Sequence, residues 1–176
     1  MVGRGTADPA DPFPVTPRRV RVHTADEDRV LEVLDEAACR ELLGTTPTGR
    51  LGFTDGALPA ILPVPFALAD GRVMIPARRT SAVLSAVRGA VVAFAVDSYD
   101  ARTRTGWSVT VVGPALIVSH PEEVAALQAR FASHPPAADR CYIAVLLGLL
   151  KGWRMSEHAD APAPAEQDAA AIPPLR

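Results

Sequence analysis

The chain has 176 residues, 48% of them hydrophobic and 22% charged, with a formal net charge of −2 at pH 7. These are values of one ordinary globular domain, and they exclude wholesale disorder and a nucleic-acid binder that relies on a strong basic field. Two cysteines, Cys39 and Cys141, form neither a disulfide framework nor a CxxC metal pair, as expected in a reducing cytosol.

The opening MVGRGTADPADPFPVTP has no apolar stretch of the kind a signal peptide carries. No apolar run approaches the roughly 20 residues of a spanning helix. A soluble cytoplasmic protein without membrane or nucleic-acid partners is the expectation. Proline marks the boundaries: residues 1–29 are read as a mostly disordered tail, 30–155 as the folded domain and 156–176 as a second disordered tail.

The domain opens with a short helix, with Asp35 as N-cap, Cys39, Leu42 and Leu43 on one face, and Gly44 and Pro47 ending it. Strands follow at 50–54, 58–68 and 72–75, joined by tight turns at Asp55-Gly56 and Asp70-Gly71, the strongest short-range hairpin signal. Prolines 59, 63 and 65 suit an edge, bulged or ligand-facing strand. A short helix at 81–87 precedes a strand at 90–96. A polar loop at 97–105, a lid or simply solvated, leads into a long strand at 107–118. Pro121, Glu122 and Glu123 start a helix reaching about Phe131, and strands at 142–147 and 153–155 close the domain. Hairpins with few helices predict a mainly β protein, a six- to seven-stranded antiparallel split barrel rather than a doubly wound sheet.

The sequence lacks GxGxxG, GxxxxGK[ST], HExxH and GxSxG, and its histidines (23, 120, 134 and 158) have no ligand spacing, so no metal is expected. No nucleophile–base pair is recognisable, and the catalytic residues stay unknown. The segment Ala77-Arg78-Arg79-Thr80-Ser81 offers two guanidinium groups and two hydroxyls before a helix, a seat for a phosphate or an ordinary capped polar turn. Trp107, one of few aromatics, is either a stacking wall or a core or dimer-interface residue.

The order CRELL, GRLGF, LPAILPVPFAL, GRVMI, RGAVVAFAVD, TRTGWSVTVVGPA, PEE and GWRM resembles the pyridoxamine 5'-phosphate oxidase-like family of flavin-binding split barrels, over about residues 32–155. The resemblance implies a homodimer holding FMN at the dimer interface, although some relatives use a deazaflavin and a few bind haem. It implies that Pro63, Val64 and Phe66 belong to the strand whose backbone approaches the isoalloxazine ring, that Ser81 lies near the phosphate, and that Trp107 and Ser108 border the pocket. Gly49, Arg50, Gly152 and Arg154 match positions that look structural. This chain departs from the family at Pro65, where Asn is common, at Pro76-Ala77, where Arg-Thr is usual, and at Ala82, where a Lys is usual. Arg78 and Arg79 are the replacement charge.

An FMN-dependent oxidoreductase acting on an unidentified small molecule is therefore the first expectation, since the flavin carries the chemistry and no dedicated acid or base is needed. Two alternatives stand beside it. One is a non-catalytic or altered-ligand binding protein with no flavin cofactor, and the other a deazaflavin-dependent reductase.

Overall fold

The protein, described from a computed structural model, is defined over residues 19–24, 27–131 and 138–156. The expected tails at 1–18 and 157–176, with His158, lie outside the described residues, as does His134. The elements run β1 (Arg19–Thr24), β2 (Glu27–Leu34), α1 (Glu36–Leu43), β3 (Thr48–Asp55), β4 (Leu58–Pro65), β5 (Ala67–Ala69), β6 (Arg72–Arg78), α2 (Ala82–Val87), β7 (Val91–Asp100), β8 (Thr105–Val118), α3 (Pro121–Gln128), β9 (Arg140–Leu146) and β10 (Leu149–Ser156). A 3-10 turn, Ala129–Phe131, extends α3.

The fold is a mainly β, antiparallel split barrel, as expected. Its described strands number ten. The expected strand at 58–68 divides into β4 and β5 at Phe66, and β1 and β2 pair with each other where residues 19–29 were read as tail. The only sequence signal for β1 is the short alternation RVRV next to a proline-rich run.

One path of neighbours runs β1-β2-β10-β8-β7-β3-β4, and β9, β6 and β5 continue from β8 in a second branch. β8 serves both, pairing β7 and β10 along its first part and β9 over its last four residues, Ala115 to Val118. It crosses over beside Gly113, where a Cβ would lie 2.0 Å from the Leu146 carbonyl oxygen. Only a residue without a side chain lets the backbones approach that closely.

β4 ends the path, so its prolines sit on an edge strand, one of the expected placements. Positions 59, 63 and 65 share one side of the strand. Since β4 keeps its full register with β3, the missing N–H groups fall on the outer side, which blunts the edge.

Alternation along the strands fills the barrel. Leu51 and Phe53 of β3, Val92, Phe94 and Val96 of β7, and Val109 and Val111 of β8 point inward and are buried. Cys39 and Leu43 of α1 and Leu84 and Val87 of α2 join the same core. Each fully buried Val, Leu or Phe contributes roughly 1.5–3 kcal/mol. A second cluster, including Met74, Leu127, Phe131 and Tyr142, packs α3 on the outside of β6 and β9. Local signals place α1 well: the Asp35 carboxylate accepts the Ala38 N–H at 2.8 Å, and Gly44 caps the other end.

Candidate functional site

A groove of about 400 Å³ opens beside the end of β6, lined by Pro65, Pro76, Ala77, Arg78, Thr80, Ser81 and Arg140. A turn places its polar groups: the Ser81 N–H donates to the Arg78 carbonyl at 2.9 Å, folding Thr80 and Ser81 back toward Arg78. Ser81 is the N-cap of α2, yet its hydroxyl makes no capping bond and is available to the groove. Among the described residues no carboxylate lines the groove. Its donor set of guanidinium and hydroxyl groups suits an anion.

Of the anion-seat residues expected from sequence, Arg78 and Ser81 meet here and Arg79 does not line the groove. The Arg79 N–H donates to the Asp139 carbonyl, and its Nη2 donates to the Ser119 carbonyl at 2.8 Å. Adjacent residues at a strand end point to opposite sides, so one of two neighbouring arginines must turn away. Ala77 and Thr80 of the expected segment also line the groove, and Arg140 joins it where Arg79 does not. Arg140 comes from β9 and faces Arg78 directly across the β6–β9 ladder. No local motif announces it, because the signal is a pairing between distant strands.

The expected flavin strand is placed beside this groove. Pro63 is exposed on β4 opposite Arg50, and Val64 packs against the barrel core opposite Gly49. Phe66 is buried, its ring 4.8 Å from that of Phe94, and its N–H donates to the Pro47 carbonyl at 3.2 Å. Its ring lies inside the barrel, and its amide is engaged by its own chain.

Trp107 and Ser108 lie elsewhere, at the start of β8. With Leu31, Asp97, Ser98, Tyr99, Gly106, Trp153 and Met155 they line a mostly apolar recess of about 200 Å³. Both tryptophans of the chain and one of its two tyrosines meet there. Gly106 makes room for Tyr99, since a Cβ would lie 3.1 Å from the ring and 2.5 Å from the Ser98 carbonyl oxygen. Asp97 at its rim is ion-paired with Arg50. The polar loop expected at 97–105 is shorter than that: β7 runs on to Asp100, and only 101–104 form the turn. The Asp100 carboxylate accepts the Arg102 and Thr103 N–H groups, which lower its pKa, so the turn is held by its own chain.

The remaining chemistry is quiet. Burial pushes both thiols up, chiefly by desolvation, with Asp35 and Glu36 adding to the effect at Cys39. Protonated, buried thiols are poor nucleophiles. Among the described residues no group of three or more His, Cys, Asp or Glu is placed to hold a metal ion, and no helix is long and apolar enough to cross a membrane.

Comparison with known proteins places these features in a family. Residues 35–144 match the family model described as pyridoxamine 5'-phosphate oxidase. An uncharacterized protein of Mycobacterium tuberculosis is 48% identical over 100 residues, a stretch that covers 54% of this chain and 66% of that protein's length. Among solved structures, an FAD binding protein of Mycobacterium smegmatis superposes with a TM-score of 0.58 at 25% identity, covering 71% of this chain and 98% of the other. An FAD-binding protein of Mesorhizobium loti shares the fold with a TM-score of 0.59 at 18% identity, covering 70% of this chain and 97% of the other.

Proposed function

The chain belongs to the pyridoxamine 5'-phosphate oxidase family, and from that premise we propose that it is an FMN-dependent oxidoreductase, a homodimer that acts on a small molecule. The observation that carries this reading is the groove, where Arg78, Thr80 and Ser81 gather donors with no carboxylate among the described lining residues, as a phosphate group demands. The similar Mycobacterium smegmatis protein binds FAD, which supports a flavin as the ligand class.

When bound, the flavin supplies the hydride and electron transfer. The chain's own work is to hold and orient it. Arg78 and Ser81 anchor the phosphate, and the donor-poor edge of β4 presents carbonyl oxygens beside the groove. The aromatic recess around Trp107, Tyr99 and Trp153 offers flat apolar walls to a ring.

Groove and recess belong to opposite ends of one long strand. β8 is 14 residues long, about 45 Å if straight at ~3.3 Å per residue. Trp107 lies near its start, and Val118 at its end pairs with Tyr142, two residues from Arg140. A homodimer would let one flavin lie between two copies of the chain and meet both features. A partly exposed apolar row is available for that. Register aligns Ile61, Gly52, Ala93, Val112 and Leu149 across five strands, with Ile61 70% and Leu149 41% exposed.

A second reading draws on the same groove. Pro65, Pro76 and Ala77 line it where the family resemblance implies Asn and Arg-Thr, which favours a barrel adapted to another anionic ligand. Titration of FMN into the purified protein, followed by quenching of flavin fluorescence, separates the two. Saturable binding that weakens in Arg78→Ala supports the flavin enzyme. Absence of binding by a folded dimer supports the second reading.

A further inference from the structure

We propose that the recess over Gly106 is the seat of the substrate, that it takes an uncharged, flat molecule of one or two fused rings, and that Trp153 and Leu31 set that choice. Calling the ligand a substrate rests on the flavin reading above, whereas the seat itself follows from the sheet. Register aligns Leu31, Met155, Gly106 and Tyr99 in one row across β2, β10, β8 and β7. Trp153, Ser108 and Asp97 stand in the next row on the same side. Gly106 leaves a notch in the first row, and a Cβ there would lie 3.1 Å from the Tyr99 ring. Tyr99 walls one side of the notch, Met155 and Leu31 wall the other, and Trp153 stands beside them. Trp107 is on the same side of β8 as the buried Val109 and Val111 and packs against the core. The indole on the open side is therefore that of Trp153.

Size and charge decide the occupant. The recess of about 200 Å³ has room for one ring or two fused rings, given that a cavity of about 150 Å³ holds benzene. Its aromatic and aliphatic walls favour a flat apolar face. Asp97 is the one charged residue among the described lining residues, and Arg50, opposite Ala95 on the neighbouring strand, is ion-paired with it. The rim is thus self-compensated and favours neither a cation nor an anion. Ser108, beside Asp97, brings a hydroxyl for a ring nitrogen or carbonyl. Leu31 and Trp153 both lie outside residues 35–144, so these walls come from strands that the family model does not span.

The test is a calorimetric titration of the full chain, with and without FMN, using quinoline, its cationic counterpart N-methylquinolinium and its anionic counterpart quinoline-6-carboxylate. Quinoline is expected to bind saturably and more tightly than either charged counterpart, and FMN is expected not to displace it. Trp153→Leu weakens quinoline by about twofold to tenfold, the worth of one ring contact. Leu31→Phe fills the notch, so it weakens quinoline and spares the single ring of pyridine. Asp97→Asn leaves the Arg50 charge unpaired at the rim and tightens quinoline-6-carboxylate by up to about fivefold, a gain that misfolding does not produce. The seat is overturned if quinoline does not saturate, if a charged counterpart binds the parent equally well, or if FMN displaces quinoline. Unchanged quinoline affinity in both Trp153→Leu and Leu31→Phe overturns the role of these walls. A chain that binds quinoline in the expected pattern but takes up neither FMN nor FAD keeps the seat and overturns the function proposed above.

Discussion

The ring of Phe66 meets the ring of Phe94 edge to face, with centroids 4.8 Å apart and planes inclined by 64°. This pair locks the break between β4 and β5 onto the barrel interior. Phe66 therefore bounds the groove by fixing where Pro65 stands, and its own ring stays inside. Truncation to Phe66→Ala is expected to lose about 3–5 kcal/mol of unfolding free energy, measured by urea titration, as for other buried aromatics. Loss of less than about 1 kcal/mol would show that the ring is not the anchor of this segment.

The β3–β4 hairpin carries removable strain. Asp55 pairs with Leu58, so the two-residue turn is Gly56-Ala57, one residue beyond the expected Asp55-Gly56. Both turn residues have positive φ, 52° at Gly56 and 70° at Ala57. An alanine in that region carries a strain of roughly 1–2 kcal/mol, part of which Ala57→Gly recovers after the entropy of the added glycine is subtracted. A rise in melting temperature is the expected result, and a fall would contradict the turn geometry.

Tyr142 is fully buried, and its hydroxyl has no hydrogen-bond partner among the described residues. An unpaired buried donor is unfavourable by about 1–3 kcal/mol. Tyr142→Phe keeps the ring contact with Phe131, whose centroid lies 5.3 Å away, and is expected to be neutral or stabilising. Clear destabilisation in thermal unfolding would mean that the hydroxyl is engaged.

Arg78 and Arg79 are neighbours with different work. Arg78 lines the groove, whereas the Arg79 guanidinium donates to the Ser119 carbonyl. Arg78→Ala is expected to weaken FMN binding roughly tenfold to a hundredfold. Arg79→Ala is expected to leave affinity within about twofold and to lower stability by about 0.5–1.5 kcal/mol, the net worth of one hydrogen bond. Paired flavin titrations check this, and equal losses would place both arginines on the ligand.

The barrel was legible because its signals are local. The Asp35 cap, the Asp70-Gly71 turn and the alternation of Val92, Phe94 and Val96 each identify an element without knowledge of its neighbours. The Asp70-Gly71 turn stands where the sequence puts it, with φ of 51° and 68°. The site was legible only in part, because it is made by pairing between distant segments. Arg140 joins Arg78 through the β6–β9 register, and Trp153 joins Tyr99 through β8. Arg79 differs for another reason: adjacency in sequence says nothing about which side of the chain a side chain leaves. Phe66 sits at a strand break, where the alternation that assigns faces is interrupted.

The most direct test of the flavin reading is to purify the full chain, release whatever it binds by heat, and identify and count it by absorbance and mass. The account predicts FMN at about one per chain, or full reconstitution when FMN is added to protein that emerges without it, with the ligand lost in Arg78→Ala. A colourless protein that takes up neither FMN nor FAD at micromolar concentration would contradict it.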